Sequence, residues 1–460
     1  MTHVDRSRLP NLGADPAFAF LQIARHRGNN GLDIRTVEHH TIPVITFVLH
    51  VEAGAGCDPL SRQGLAALTA DMLDEGTGAL SAIDISDALA RIGAEFDIDV
   101  GPDVATLTLT TLARFAERGA ALLADLVVRP AMRNEDFERV RQLRIDRLRQ
   151  LRDLPAATGE RAFLRLLYGD HPYGHLSIGT DEALRAITLD EVRQFHSTCF
   201  RPGSATLVIA GDRSHEQMRA LSEQAFGSWT GSTAQAPQQE PAAAQTAPSR
   251  PLARLALVPR ERAAQSHLRI GHLAARRDSP DHAALLVMNA VLGGQFVSRI
   301  NLKLREEKGY TYGARTGFDW RRGIGPFSLE TSVDVAATAD AVRDSLHELS
   351  AIRGEHPVTA QELALAKATL TRGYPRNFET AQQVARSISQ LALYNLPDTY
   401  FETFVPTVNQ ISTDDVLRVA SSYLDPSRLA TLIVGDRLAI GDSLEDLQLG
   451  ELVILSPEGF

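Results

Sequence analysis

Arg305 and Tyr312 stand seven residues apart within G-G-Q-F-V-S-R-I-N-L-K-L-R-E-E-K-G-Y-T-Y-G-A-R-T-G-F, the stretch from Gly293 to Phe318. A guanidinium and a phenol are both hydrogen-bond donors, and together they supply neither a base nor a nucleophile. Two such donors aimed at one point suit the holding or polarising of a carbonyl oxygen. Residue types alone leave a plainer use open, with the arginine paired to a nearby glutamate and the tyrosine packed at a sheet edge.

The surrounding residues say how the two would be positioned. Ser298 can cap or start a helix. Apolar Ile300, Leu302 and Leu304, followed by charged Arg305 to Lys308, predict a short amphipathic helix. Lys308-Gly309 is a helix stop, a cation at the negative end followed by a residue free to take positive φ. Tyr310, Thr311 and Tyr312 then open an extended run. Arg305 is expected near a helix end and Tyr312 on the strand after it.

The 460 residues suffice for two to four domains with sizeable cores. Net charge is −10 without a long basic run, which argues against a nucleic-acid or anionic-membrane surface. Cys57 and Cys199 are the two cysteines, too few for a zinc-finger site or a disulfide framework. The N-terminus lacks a signal-peptide core and no apolar run is long enough to span a bilayer. The chain as written is therefore expected in the cytoplasm, or in the periplasm if a leader has been removed.

Val44 to Val51 reads as a strand, Pro59 to Glu75 as a helix, and Glu95 to Val100 with Val104 to Thr111 as a hairpin. Phe18, Phe20 and Leu21 are expected to dock a poorly patterned lead-in onto the body. Residues 231–250, rich in Ala, Gln and Pro, read as a linker between an N-terminal lobe, 1–230, and a C-terminal lobe, 251–460. The halves echo one another: Tyr423 to Asp436 repeats Phe200 to Asp212, each closing on Gly-Asp. The expected class is α+β, with two homologous lobes related by a pseudo-twofold. Each lobe would hold a mostly antiparallel sheet with helices packed on one face.

These motifs, taken together, resemble the pitrilysin-like inverzincin metallopeptidases. The resemblance lies in A-G-A-G-C-D-P from Ala53, G-L-A-A-L-T-A-D-M-L-D-E-G-T from Gly64, D-L-P from Asp153 and H-P-Y-G-H-L-S-I-G-T from His171. It continues in Gln265-Ser266, in the Gly293 to Tyr312 stretch, in P-V-T-A-Q-E-L-A-L-A-K from Pro357 and in the closing L-I-V-G-D. The family's zinc motif, H-x-x-E-H on a helix, falls here on Ala67, Ala70 and Asp71. Alanine has no donor atom and no base remains, so the resemblance implies no metal on this chain. The third family ligand falls in a basic segment around Asp146 to Arg149. His39, His40, His50, His171 and His175 lack a carboxylate-and-histidine helix face and read as surface or satisfied groups.

The family's second device is retained. The resemblance implies that Arg305 and Tyr312 bind the substrate carbonyl and stabilise the tetrahedral intermediate, and that Gly293, Gly294 and Ser298 help hold the substrate. The expected function is thus a non-catalytic, substrate-binding subunit of a heteromeric zinc peptidase. Its partners would be a homologous subunit carrying the zinc and a peptide, with pairing to a second copy of this chain also open. The alternative is an inert scaffold of the same fold, as in the core proteins of the respiratory cytochrome complex. A third reading, an independent enzyme with a relocated metal site, finds no ligand cluster in the sequence.

Overall fold

The computed structural model describes residues 18–78, 80–231 and 241–457. Most of the first half of the expected linker therefore lies outside the described residues. Among the described residues, fourteen strands build two six-stranded sheets and one small ladder. The first sheet uses β1 (Ala24–Arg27), β2 (Asp33–Glu38), β3 (Val44–Val51), β6 (Glu95–Val100), β7 (Ala105–Leu112) and β8 (Ala205–Gly211). The ladder is β4 (Gly76–Thr77) with β5 (Leu80–Ser81). The second sheet uses β9 (Leu255–Pro259), β10 (Gln265–Ala275), β11 (Ala314–Phe318), β12 (Gly325–Asp334), β13 (Ala430–Gly435) and β14 (Leu452–Ile454).

The sheets run β1-β2-β8-β3-β7-β6 and β14-β9-β13-β10-β12-β11. From β2 and from β9 onward the two orders match, each with one parallel pair followed by antiparallel pairs. Each sheet has helices of its own lobe packed against one face, giving the two main cores.

The other face of each sheet is covered too, by a helix from the opposite half of the chain. The helix Pro155–Tyr168 lies on β10 and β13, its Phe163, Leu166 and Leu167 buried against Val258, Leu432 and Val434. Reciprocally, the helix Ala381–Leu393 lies on β3 and β8, with Val384 and Ile388 against Val37, Val48 and Val208. This explains why β3 (VITFVLHV) and β13 (ATLIVG) are almost continuously apolar rather than alternating. Strands buried on both faces have no solvent side to make polar.

A second tie crosses between the halves at the bend before β12. The Arg321 guanidinium, buried over the rings of Tyr168 and Tyr173, pairs with Asp319 at 2.6 Å and donates to the Tyr173 carbonyl. Arg322 pairs with Glu52 at 2.7 Å, and its amide donates to Asp103. The lead-in also crosses over: Phe18 stacks on Phe378 in the second half, and Phe20 meets the same ring edge to face. The described part of the linker is not loose, contrary to what its composition implies. Ala242 is buried, and Ala243 lies close against Gly323. Small side chains let this strap lie flat in the seam.

Candidate functional site

The helix expected over Pro59 to Glu75 is confined to Leu65–Asp71. It starts where the buried Asp58 carboxylate accepts hydrogen bonds from the Gly64 and Ala66 amides, both at 2.7 Å. An anion at a helix N-terminus satisfies amides that have no partner within the helix. His175 meets the same carboxylate through Nε2 at 3.1 Å, but its buried Nδ1 has no hydrogen-bond partner, so it is only half satisfied, short of the satisfied group that the sequence suggests. His40, bonded to Asp212 and Glu38, does fit that reading. His39 and His50 do not: both are buried, and Nδ1 of each has no hydrogen-bond partner. Burial pushes the His50 imidazole down to about 4, which keeps it neutral.

Ala67 and Ala70 are both buried, with nothing on either to hold a cation. Asp71 forms an ion pair with Arg144, whose guanidinium also donates to the Ser177 carbonyl at 2.8 Å. The lone carboxylate of the degenerate motif is thus neutralised by a cation of the protein itself. A groove of about 480 Å³ opens beside this helix, with Asp71, Asp74, Glu75, Asp97 and Arg144 on its walls.

The Gly293 to Phe318 stretch lies in the other lobe. The segment after the helix His282–Leu292 must pass close to β11: a Cβ on Gly293 would stand 2.6 Å from the Thr316 hydroxyl, while the Gly293 carbonyl accepts from the Thr316 amide. The expected amphipathic helix is a single turn, Arg299–Asn301, continuing as a π-helix, Leu302–Glu307. Ile300 and Leu304 are buried against the second core, as the pattern requires. Gly309 ends it at φ +67, and the Gly309 and Tyr310 amides bond back to the Arg305 and Leu304 carbonyls. Wide π turns are frequent at functional sites.

Tyr312 precedes the strand instead of lying on it, since β11 begins at Ala314. Its ring is 93% exposed. It borders an open groove of about 570 Å³, together with Gly293, Gly294, Phe296, His267 and Glu330. Arg305 does not line that groove. Its guanidinium rests 4.2 Å from the ring centre of Phe296, and it meets Glu306 at 3.4 Å. Ser298, expected to touch substrate, is buried, and its hydroxyl accepts from Asn301 at 3.2 Å. It occupies the N-cap position without making the side-chain cap. The structure therefore brings Gly293, Gly294 and Tyr312 to one groove and leaves Arg305 one side chain away.

The groove's floor holds groups that the sequence reading did not single out. His267 on β10 faces Ser332 on β12, Nδ1 to Oγ 3.2 Å, and burial pushes its imidazole down to about 4. Burial raises the Glu330 carboxyl, but Arg269 at 3.2 Å and Arg315 at 2.8 Å outweigh that and hold it below the usual range. The alternation in Q-S-H-L-R places Gln265, His267 and Arg269 on one face, a signal present in the sequence.

Comparison with known proteins bears on this arrangement. The family model described as "Peptidase M16 inactive domain" matches residues 186–370. An uncharacterised zinc protease of Mycobacterium tuberculosis is 25% identical over 413 residues, 89% of this chain and 92% of that protein. The crystal structure of a peptidase M16 inactive domain from Pseudomonas fluorescens superposes with a TM-score of 0.83 at 24% identity, covering 90% of this chain and 98% of that one. Along most of its length the chain resembles the pitrilysin-like peptidases, and it shares their fold. A Helicobacter pylori protein, 22% identical over 87% of this chain and 91% of its own length, bears the name "Non-peptidase homolog". Within this pitrilysin-like fold, the residues at the family's metal position do not fit zinc. Two are alanines, and the third is already paired with a guanidinium. Among the described residues no helix is long and apolar enough to cross a membrane.

Proposed function

We propose that this chain is the non-catalytic, substrate-binding subunit of a two-protein zinc metallopeptidase, built by duplication of one lobe. The matching strand order of the two sheets supports the duplication. The observation that carries the function is selective loss. The metal helix is filled with apolar side chains, yet Tyr312 stands almost fully exposed on a well-held loop over a groove. Packing gives no reason for an exposed phenol there, whereas a partner or a peptide does. The zinc would be held by the partner and would supply water activation.

The part left to this chain is charge stabilisation. When water adds to the peptide carbonyl carbon, the former carbonyl oxygen becomes negative, and the Tyr312 hydroxyl donates a hydrogen bond to it. Arg305 holds an adjacent carbonyl once Phe296 turns aside. A second reading, an inert scaffold, draws on that same Phe296 contact, which keeps Arg305 occupied. Turnover of an unstructured peptide by the reconstituted pair separates the two. Removing one such donor typically costs about 100- to 1000-fold in turnover, about 3–4 kcal/mol. Tyr312→Phe is expected to lose activity on that scale with assembly unchanged by sizing, and Arg305→Ala is expected to weaken substrate binding as well. If both variants assemble and cleave like the parent, the scaffold reading stands instead.

A further inference from the structure

His347 lies in the last turns of the helix Thr338–Ala351, and Glu355 and His356 lie just beyond its end. All three side chains are exposed, and one ligand atom of each lies within 4.8 Å of the other two. Among the described residues this is the one group of three or more His, Cys, Asp or Glu side chains that converges so closely. The imidazole rings stand edge to face, centres 6.0 Å apart and planes 85° apart.

The backbone beneath them is firmly held. The His356 amide donates to the Ala351 carbonyl at 2.7 Å. Arg299 donates to the His356 and Pro357 carbonyls and clamps Glu362 through two more bonds at 2.6 and 2.8 Å. The helix holds the backbone of His347 and the clamp holds that of His356, so the ordering a bound ion must impose falls mainly on the side chains.

We infer that His347, Glu355 and His356 bind one divalent transition-metal ion, with zinc the best match. Two imidazoles and a carboxylate are the donor set of zinc and its neighbours, whereas calcium and magnesium ask for oxygen shells. Ligand atoms in a tetrahedral zinc shell lie about 3.3 Å apart at Zn–N distances near 2.05 Å. Closing from the present spacing takes side-chain rotations alone, which exposed side chains make freely. Water completes the shell. The ion would sit in the second lobe, apart from the helix Leu65–Asp71, and it would not restore the family's metal position.

The test uses the full-length chain, stripped of metal. It is titrated with Zn²⁺ by calorimetry and with Co²⁺ by visible absorption, whose intensity reports four- or five-coordination. One micromolar site is expected. Loss of an outer-shell partner already costs ~10–100-fold in metal affinity, so His347→Ala and His356→Ala should each cost at least ~10-fold. Asp71→Ala should cost nothing. Circular dichroism checks that each variant is folded. The inference is overturned if no ion binds at millimolar concentration. It is equally overturned if binding survives the double His347→Ala, His356→Ala variant or is abolished by Asp71→Ala.

Discussion

Asp74 lines the groove beside the helix Leu65–Asp71. Burial, followed by the negative charges of Glu75 and Asp71, pushes its carboxyl up to about 6. A carboxyl raised on folding favours the protonated fold. Its contribution is intact below the unfolded value, near 3.9, and is lost as pH rises through about 6. At pH 7 the fold carries the full cost of ionising a half-buried acid, on the order of 2 kcal/mol. Asp74→Asn is therefore expected to raise the urea midpoint at pH 7 and to leave it unchanged at pH 4. Parallel denaturation series at the two pH values check this, and an equal shift at both would mean that Asp74 is not the titrating group. At this scale the want of donor atoms at Ala67 and Ala70 was legible directly, because alanine offers none in any fold. The Arg144 ion pair to Asp71 was not, since it joins residues far apart in sequence. Nor was the ring of Phe296 beneath Arg305, set by a loop whose path no periodicity encodes.

Elements show where local signals were overruled. The β propensity of Tyr310 to Tyr312 predicts a strand, but side chains capture the backbone first. The Thr311 hydroxyl bonds the amide and carbonyl of Gly313, and the Asn301 side chain brackets Ala314 in the same way. Such local bonds compete directly with a sheet ladder. The strands β3 and β6 follow their sequence patterns residue for residue, because apolar runs and alternation report burial directly. What covers the far face of a sheet has no such signature, and the exchanged helices were invisible for that reason. Gly159 marks one of them. A Cβ there would meet the His267 ring at 2.8 Å. Gly→Ala inside a helix normally stabilises by about 1 kcal/mol. Forcing a methyl against a packed sheet costs roughly 1–3 kcal/mol. Gly159→Ala is expected to lower the unfolding midpoint on balance. A raised midpoint would mean that the helix Pro155–Tyr168 sits more loosely on β10 than its contacts imply.

Over the whole molecule, the exchange of helices decides what a cut between the lobes does. The linker composition suggests two lobes that fold independently, yet each sheet needs a helix from the other half. Without the helix Ala381–Leu393, the first half exposes Val37, Val48 and Val208; without the helix Pro155–Tyr168, the second exposes Val258, Leu432 and Val434. Burying one such side chain is worth about 1.5–3 kcal/mol, so each exchanged face contributes on the order of 10 kcal/mol. That is comparable to the whole stability of a typical domain, about 5–15 kcal/mol. A protease nick within 232–240 leaves these contacts untouched, and the nicked protein should elute as one particle of unchanged size. Residues 1–231 and 241–460 produced separately should aggregate or unfold without a cooperative transition, and produced together they should co-purify as a complex. Each half proving monomeric and cooperatively folded on its own would show that the crossed helices are an embellishment on two autonomous lobes, and the linker would then be a true domain boundary.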